Sequence, residues 1–307
     1  MPVISVINYK GGVGKTTLTA NLGAELAYRG KKVLLIDLDP QASLTFSLVR
    51  PDYWQNNLAT SKTIKQWYDA IASKANLSLS SLIFEPAPMK SYARRVGGRL
   101  YLLPSHLGLI NVDLELATEL GGANMKQSKL NYLRVHRRLA EGLLEPVFGE
   151  YDAILIDCPP NFNVVTKTAI VASDHVLIPA KADYLSTLGI DYLIRSLNEL
   201  VGDYNDFAEL EDGGSDVDKI KPDILGVVFT MIQMYAEQPI AALRPFMQQT
   251  ARLGIPVFGT TLRENKTLFA DAPRSGVPVA MNTSAAAEKV VAEIEGLVDE
   301  FMRKLGM

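Results

Sequence analysis

The chain opens on a short apolar, β-branched run over residues 3–8, the pattern of a buried strand. A glycine-rich turn follows, Lys10-Gly11-Gly12-Val13-Gly14. Lys15-Thr16-Thr17 then starts a helical stretch that reaches about residue 29, with Gly30 as its C-cap. Further apolar runs recur at 33–37, 100–103, 153–157, 175–179, 224–230 and 256–258, with helix-length segments between most of them. Short runs that are apolar on both faces and alternate with helices predict a parallel sheet covered on both sides. Two stretches break the rhythm. Residues 50–99 carry Tyr53, Trp54, Trp67 and Tyr68 and a turn-rich piece around Pro86 and Pro88. They are expected to form helical excursions, because about 50 residues is marginal for a separate core. Residues 203–223 hold Glu209, Glu211, Asp212, Asp216 and Asp218 around Gly213-Gly214, and read as a solvated acidic loop between a helix and a strand.

Composition narrows the class without naming it. The chain has 307 residues, of which 48% are hydrophobic, with 31 Lys and Arg against 34 Asp and Glu for a net charge of −3. That is an ordinary globular mixture, and the length fits one large α/β domain or two small ones. The single cysteine excludes a disulfide framework and any site built on a cysteine pair within one chain. No apolar run reaches the length of a membrane span, and no signal-peptide pattern is read at the start, so a cytoplasmic protein is expected. The slightly acidic balance argues against permanent nucleic-acid binding.

The first turn carries the chemistry. Glycines between a strand and a helix let main-chain N–H groups close around phosphate oxygens, and the helix beginning near Lys15 aims its positive end at the same anion. In such a loop Gly11 to Thr17 bind nucleotide, the Lys15 ammonium reaches the β- and γ-phosphates, and the Thr16 hydroxyl is placed to ligate Mg²⁺. Asp37 and Asp39, two residues apart at the end of the second run, point to one side, toward the loop crevice. The run ending in Asp157-Cys158-Pro159-Pro160 offers one carboxylate that can hold Mg²⁺ through water, and Cys158 reads as a small buried filler.

With its second lysine at the head of the loop, Lys10-Gly-Gly-Val-Gly-Lys-Thr-Thr resembles the deviant Walker A box of the ParA/MinD family of partition and positioning ATPases. The Asp37-Leu38-Asp39-Pro40-Gln41 and Ile156-Asp157-Cys158-Pro159-Pro160 segments are similar to that family's other two site motifs. Leu102-Leu103-Pro104-Ser105, Val176-Leu177-Ile178-Pro179, Thr187-Leu188-Gly189, residues 226–231 and Asp271-Ala272-Pro273 with Gly276-Val277-Pro278-Val279 extend the match. It covers roughly residues 3–49 and 100–300 and leaves 50–99 without a counterpart.

The resemblance implies an α/β P-loop NTPase. It would have a twisted, mostly parallel sheet of about seven to eight strands with helices on both faces, forming a single domain over residues 1–307. It further implies that Lys10 reaches a partner subunit's phosphates in an ATP-sandwich homodimer, that Asp39 positions the attacking water, and that Asp37 helps hold the magnesium hydration shell. Arg263 or Asn265 would serve the base, although the proline of the family's adenine-contacting turn is missing at Thr261-Leu262-Arg263-Glu264-Asn265.

Relatives bind DNA non-specifically as ATP dimers, cluster on the nucleoid in that state, and meet a ParB-like adaptor. Candidate DNA contacts are Arg263, Lys266, Arg274, Lys219 and Lys221. A second cluster is Lys126, Lys129, Arg134, Arg137 and Arg138. Starting the phosphate-loop strand at Val3 leaves no DNA-reading domain expected ahead of it. The alternatives are a metabolic phosphoryl-transfer or amide-forming enzyme on the same scaffold, and a MinD-like membrane-cycling ATPase. The terminal apolar pattern at Val290, Val291, Ile294, Leu297, Val298, Phe301 and Leu305 reads as a helix docked on the sheet. Its polar face holds five acids against three bases, so no membrane contact is expected.

Overall fold

The computed structural model describes residues 1–93, 97–209 and 217–307. The helices and strands follow in the order β1 (Val3–Val6), α1 (Lys15–Tyr28), β2 (Lys32–Asp37), α2 (Ser43–Leu48), α3 (Pro51–Asn57), α4 (Ile64–Ala72), α5 (Ala87–Ala93), β3 (Arg99–Leu103), α6 (Leu109–Glu119) and α7 (Met125–Gly142). The chain continues through β4 (Ala153–Asp157), α8 (Val164–Val171), β5 (His175–Ala180), α9 (Tyr184–Glu209), β6 (Asp223–Phe229) and the small hairpin β7 (Met234–Tyr235) and β8 (Gln238–Pro239). It ends with α10 (Arg244–Ala251), α11 (Lys266–Ser275) and α12 (Glu288–Leu305).

Six strands pair in parallel in the order β3-β2-β4-β1-β5-β6. Their residues alternate between two cores, because successive side chains of a strand point to opposite faces. Leu34, Ile36, Ile154, Ile156 and Ile178 face one core with α4 and α6–α9. Val33, Leu35, Leu155 and Leu177 face the other with α1 and α12. Burial on both faces is why these strands read as continuous apolar runs.

The main sheet is smaller than the seven to eight strands expected. The apolar run 256–258 lies beside β6 but pairs only through an isolated bridge, Val227 to Val257, with Val227 N donating to the Pro256 carbonyl and Phe258 N to the Val227 carbonyl. Pro256 has no N–H to extend the ladder. The acidic stretch also begins later than its composition suggests. Residues 203–209 continue α9, where Tyr204 is buried and Phe207 packs edge-on against Tyr132. Glu211, Asp212, Gly213, Gly214 and Asp216 lie outside the described residues.

Among the described residues of the 50–98 stretch, Phe84 meets Leu102 of β3 through an isolated antiparallel bridge. Ile64, Trp67 and Tyr68 of α4 enter one core and Met89 of α5 the other. The apolar face of α12 (Val290, Ile294, Leu297, Val298 and Phe301) is buried in the second core, against α1. Among the described residues, no helix is long and apolar enough to cross a membrane.

Candidate nucleotide site

The carboxyl ends of β1, β2 and β4 meet at one crevice, where an open α/β sheet places its ligands. Asn8, buried just past β1, fixes the start of the loop. Its Nδ2 donates to the Pro179 carbonyl at 2.8 Å and its Oδ1 accepts from Lys10 N at 2.9 Å. Gly12 and Gly14 sit at φ 69° and 81°, a left-handed conformation that side chains resist. Gly14 is the N-cap of α1 and supplies no side-chain cap, so the first N–H groups of the helix face the crevice.

Thr230, at the end of β6, donates its hydroxyl to the Val13 carbonyl at 2.7 Å and steadies the loop from behind. Lys15 lies along the inside of the loop, its ammonium donating to the carbonyls of Asn8 at 3.2 Å and Lys10 at 3.3 Å. Burial lowers its pKa, and the charges of Asp157 and Asp39 pull the other way. A partly desolvated ammonium held among main-chain carbonyls is well placed to exchange them for phosphate oxygens.

Asp37 and Asp157 stand directly beside each other in the β2–β4 register. Thr16 donates its hydroxyl to Asp157 Oδ2 at 2.7 Å, and Thr19 approaches Oδ1 at 3.4 Å. Burial pushes the Asp157 carboxyl above its ordinary range, the Thr16 bond opposes this, and the Asp39 charge adds to it. A buried carboxylate touching a hydroxyl is a hard-oxygen pair. It is chemically suited to Mg²⁺, which Thr16 would hold directly and Asp157 through water.

Asp37 is fully enclosed. Its Oδ2 accepts from Thr45 N at 2.8 Å and Thr45 Oγ1 at 2.7 Å, and its Oδ1 accepts from Asp39 N at 3.1 Å. Burial and the neighbouring Asp157 raise its pKa. Asp39, half-buried, lines a cavity of about 520 Å³ with Gly11, Lys15, Thr16, Phe46 and Pro160.

Lys10 does not project from the crevice. Its ammonium is held by Asp183 at 2.8 and 3.0 Å and by the Ser186 hydroxyl at 3.3 Å. Asp183 also accepts from Ser186 N at 2.8 Å, which caps the start of α9. Burial would raise the Asp183 carboxyl, but its bonds to Lys10 and Ser186 outweigh burial and leave it low.

A second cavity of about 350 Å³ adjoins the loop, lined by Gly12, Thr17, Leu18, Lys181, Met231, Leu262 and Phe269, with Arg263, Asn265 and Lys266 at its border. An apolar slot beside a phosphate loop suits a nucleotide base. Of the two base-binding candidates, Arg263 is committed to Glu293 at 2.7 Å and Glu237 at 3.1 Å. Asn265 caps α11 through Leu268 N at 3.1 Å. The Arg263 ion pairs join residues about 30 positions apart and were not legible in the sequence.

The cations proposed for DNA differ in exposure and surroundings. Lys219 pairs with Glu209, and Arg138 and Arg134 with Glu119. Arg137 meets Glu141 at 3.5 Å, and Lys129 lies over the Phe207 ring. Lys266 is 89% exposed with Glu264 at 3.5 Å, and Lys221, Arg274 and Lys126 are exposed. Four residues that hold the site together, Asn8, Thr45, Asp183 and Thr230, were not singled out by sequence reasoning. Each acts through a contact between distant elements or a main-chain carbonyl.

Strand, left-handed glycine loop, helix and paired carboxylates at a parallel-sheet crevice define a P-loop NTPase of the α/β class. Residues 1–209 match the AAA domain family in its ParA/MinD-like form. The chain is 30% identical over 293 residues to the chromosome-partitioning ATPase Soj of Treponema pallidum, covering 94% of each. This protein belongs to the ParA/MinD family of deviant Walker A ATPases. Its fold is similar to that of Cyanothece McdA in complex with ATP, with TM-score 0.70, 20% identity, and coverage of 100% of this chain and 97% of the other. It is also similar to cobyrinic acid a,c-diamide synthase of Mycobacterium smegmatis with bound ATP analogue and magnesium, with TM-score 0.66, 24% identity, and coverage of 99% of this chain and 94% of the other.

Proposed function

We propose that this chain is a Mg²⁺-dependent ATPase that pairs through ATP, binds DNA without sequence preference in that state, and partitions or positions a large cargo. A ParB-like adaptor would stimulate the hydrolysis that ends each cycle. The observation that carries the reading is Lys10: a second lysine at the head of the phosphate loop, its carbonyl on the Lys15 ammonium and its own ammonium on Asp183, next to the cavity that Gly11, Lys15 and Asp39 line. Magnesium bound at Thr16 and Asp157 would offset phosphate charge. Asp39 would hold and orient a water for in-line attack, and Lys15 would stabilise charge on the transferring group. Lys10, leaving Asp183, would bring a further cation to the partner's phosphates.

The rim supports pairing. Along the first turns of α9, beside Asp183, Tyr184, Leu185, Leu188 and Tyr192 are 56%, 66%, 47% and 62% exposed, an apolar edge that a facing subunit would cover. The charge balance disfavours permanent DNA binding, and a contact made by Lys266, Lys221 and Arg274 of two subunits together is compatible with it. Such a protein would sit in the cytoplasm and gather on the nucleoid when ATP-bound. The membrane-cycling alternative needs an apolar helix face that α12 has buried.

A salt-dependent DNA-retention assay tests the reading. Retention with ATP that is lost with ADP and without nucleotide is the expected result, and equal retention in all three conditions refutes the switch. ATP turnover that depends on a small carboxylic acceptor and ignores DNA would instead favour an amide-forming enzyme.

A further inference from the structure

The turn that carries Asp39 is held from the side away from the phosphate loop. The Asp39 carbonyl accepts from the Ser105 hydroxyl at 2.6 Å and from Ala42 N at 2.8 Å. Ala42 has φ 53°, so the turn bends through a left-handed residue that is not glycine and depends on its surroundings to stay there. Ser105, fully buried just beyond β3, uses every polar atom it has. Its hydroxyl goes to Asp39. Its N–H donates to Thr45 Oγ1 at 3.0 Å, and that hydroxyl in turn donates to Asp37. Its carbonyl accepts from the Trp54 indole N–H at 3.2 Å.

Trp54 belongs to α3, in the stretch with no counterpart in the family pattern. Its ring meets Phe46 of α2 edge-on at 5.5 Å and His106 at 5.5 Å. Phe46 lines the cavity that Asp39 faces. Trp54 therefore braces two of the pieces that bound the catalytic turn, the start of α2 and the 105–106 loop.

We propose that Ser105 is a positioning residue for the Asp39 carboxylate, and that Trp54 holds Ser105 in place. This rests on the ATPase reading above, and it gives residues 50–57 a part in setting the turnover rate. A group that aims a water must be held within a fraction of an ångström, and displacement by about 1 Å can lower a rate about 100-fold. Three anchors set the direction of that side chain: its Oδ1 accepts from Gln41 N at 2.9 Å, the Asp39 N–H donates to Asp37 Oδ1 at 3.1 Å, and the Asp39 carbonyl is held by Ser105 directly.

Ser105→Ala removes the hydroxyl and leaves the bonds to Thr45 and Trp54. The Asp39 carbonyl keeps Ala42 N, so no buried acceptor is orphaned. Steady-state ATP turnover, with the Kd for an ATP analogue measured separately by calorimetry, is expected to show kcat about 10-fold lower and Kd within about twofold of the parent. Trp54→Phe keeps one six-membered aromatic ring and removes the five-membered ring with its N–H, and kcat is expected to fall about threefold with the same unchanged Kd. The role is overturned if kcat stays within twofold of the parent in Ser105→Ala, or if Kd weakens in step with kcat, as general loosening of the fold would produce. A parent chain without ATP turnover would overturn the ATPase reading and this proposal with it. A parent that turns over, with Ser105→Ala unaltered, removes the positioning role alone.

Discussion

Replacing Asp183 by Asn tests whether Lys10 is held back in the single subunit. The ammonium makes two contacts with the Asp183 carboxylate and one with Ser186, and the two charged side chains are 34% and 40% exposed. A pair that open to water contributes about 0.2–1 kcal/mol rather than the larger value its short distances suggest. Asn retains a side-chain oxygen for Ser186 N, so the cap of α9 survives and the charge alone is lost.

If Lys10 must leave Asp183 before it can cross to a partner, each subunit contributes that term once and the dimer contains it twice. The total is about 0.4–2 kcal/mol, a gain of about 2- to 30-fold in the ATP-dependent association constant. The assay is sedimentation equilibrium with a slowly hydrolysed ATP analogue, run at low and high salt. The gain should shrink as salt screens the pair. Weaker association in Asp183→Asn would refute the reasoning, because Asp183 would then be stabilising the dimer. An unchanged constant at low salt would show that Lys10 does not cross.

Two further predictions concern the frame of the site. Thr230→Val removes the donor to the buried Val13 carbonyl. An orphaned acceptor costs about 1–3 kcal/mol, so ATP affinity by calorimetry should fall about fivefold or more, and full affinity would show that the loop does not need this brace. His136, buried on α7 with its Nδ1 2.8 Å from the Tyr132 carbonyl and its ring 4.0 Å from that of Tyr132, is pushed by burial down to a pKa of about 4. Between that value and an unfolded value of about 6.5, only the unfolded chain takes up the proton. Stability must then fall as pH drops through this window, by at most about 1.4 kcal/mol per pH unit. Urea unfolding at pH 4.5 and 7 should show that loss diminished in His136→Phe, and an equal loss in both chains would assign it to other groups.

What could be read from the sequence and what could not differ in the range of the contacts involved. The strand before the phosphate loop, the loop itself and the run ending at Asp157 are contiguous. Their spacing carries their geometry, and the six paired strands lie within one residue of the runs that predicted them, apart from β1, which stops at Val6, two residues short. The run 256–258 failed as a strand because apolarity says nothing about whether a ladder can form beside Pro256. Residues 203–209 failed as a loop because their acids hid Tyr204, which pins the end of α9.

At the site, Lys15, Thr16, Asp39 and Asp157 were legible by type and order, yet what orients them was not. Asp183 is 173 residues from Lys10, Ser105 is 66 from Asp39, and Trp54 is 51 from Ser105. Ser105 and Thr45 carry no charge; Ser105 closes the matched Leu102-Leu103-Pro104-Ser105 segment without its role being legible there, and Thr45 stands in no recognisable spacing. Their effect comes from one hydroxyl each, directed at a main-chain carbonyl or a buried carboxylate. A motif therefore identifies the groups that face a phosphate, whereas their aim depends on neutral residues that only the fold brings together. Variants of Ser105 and Thr45, which aim carboxylates and do not brace the phosphate loop, should accordingly change rates and leave nucleotide affinity almost untouched.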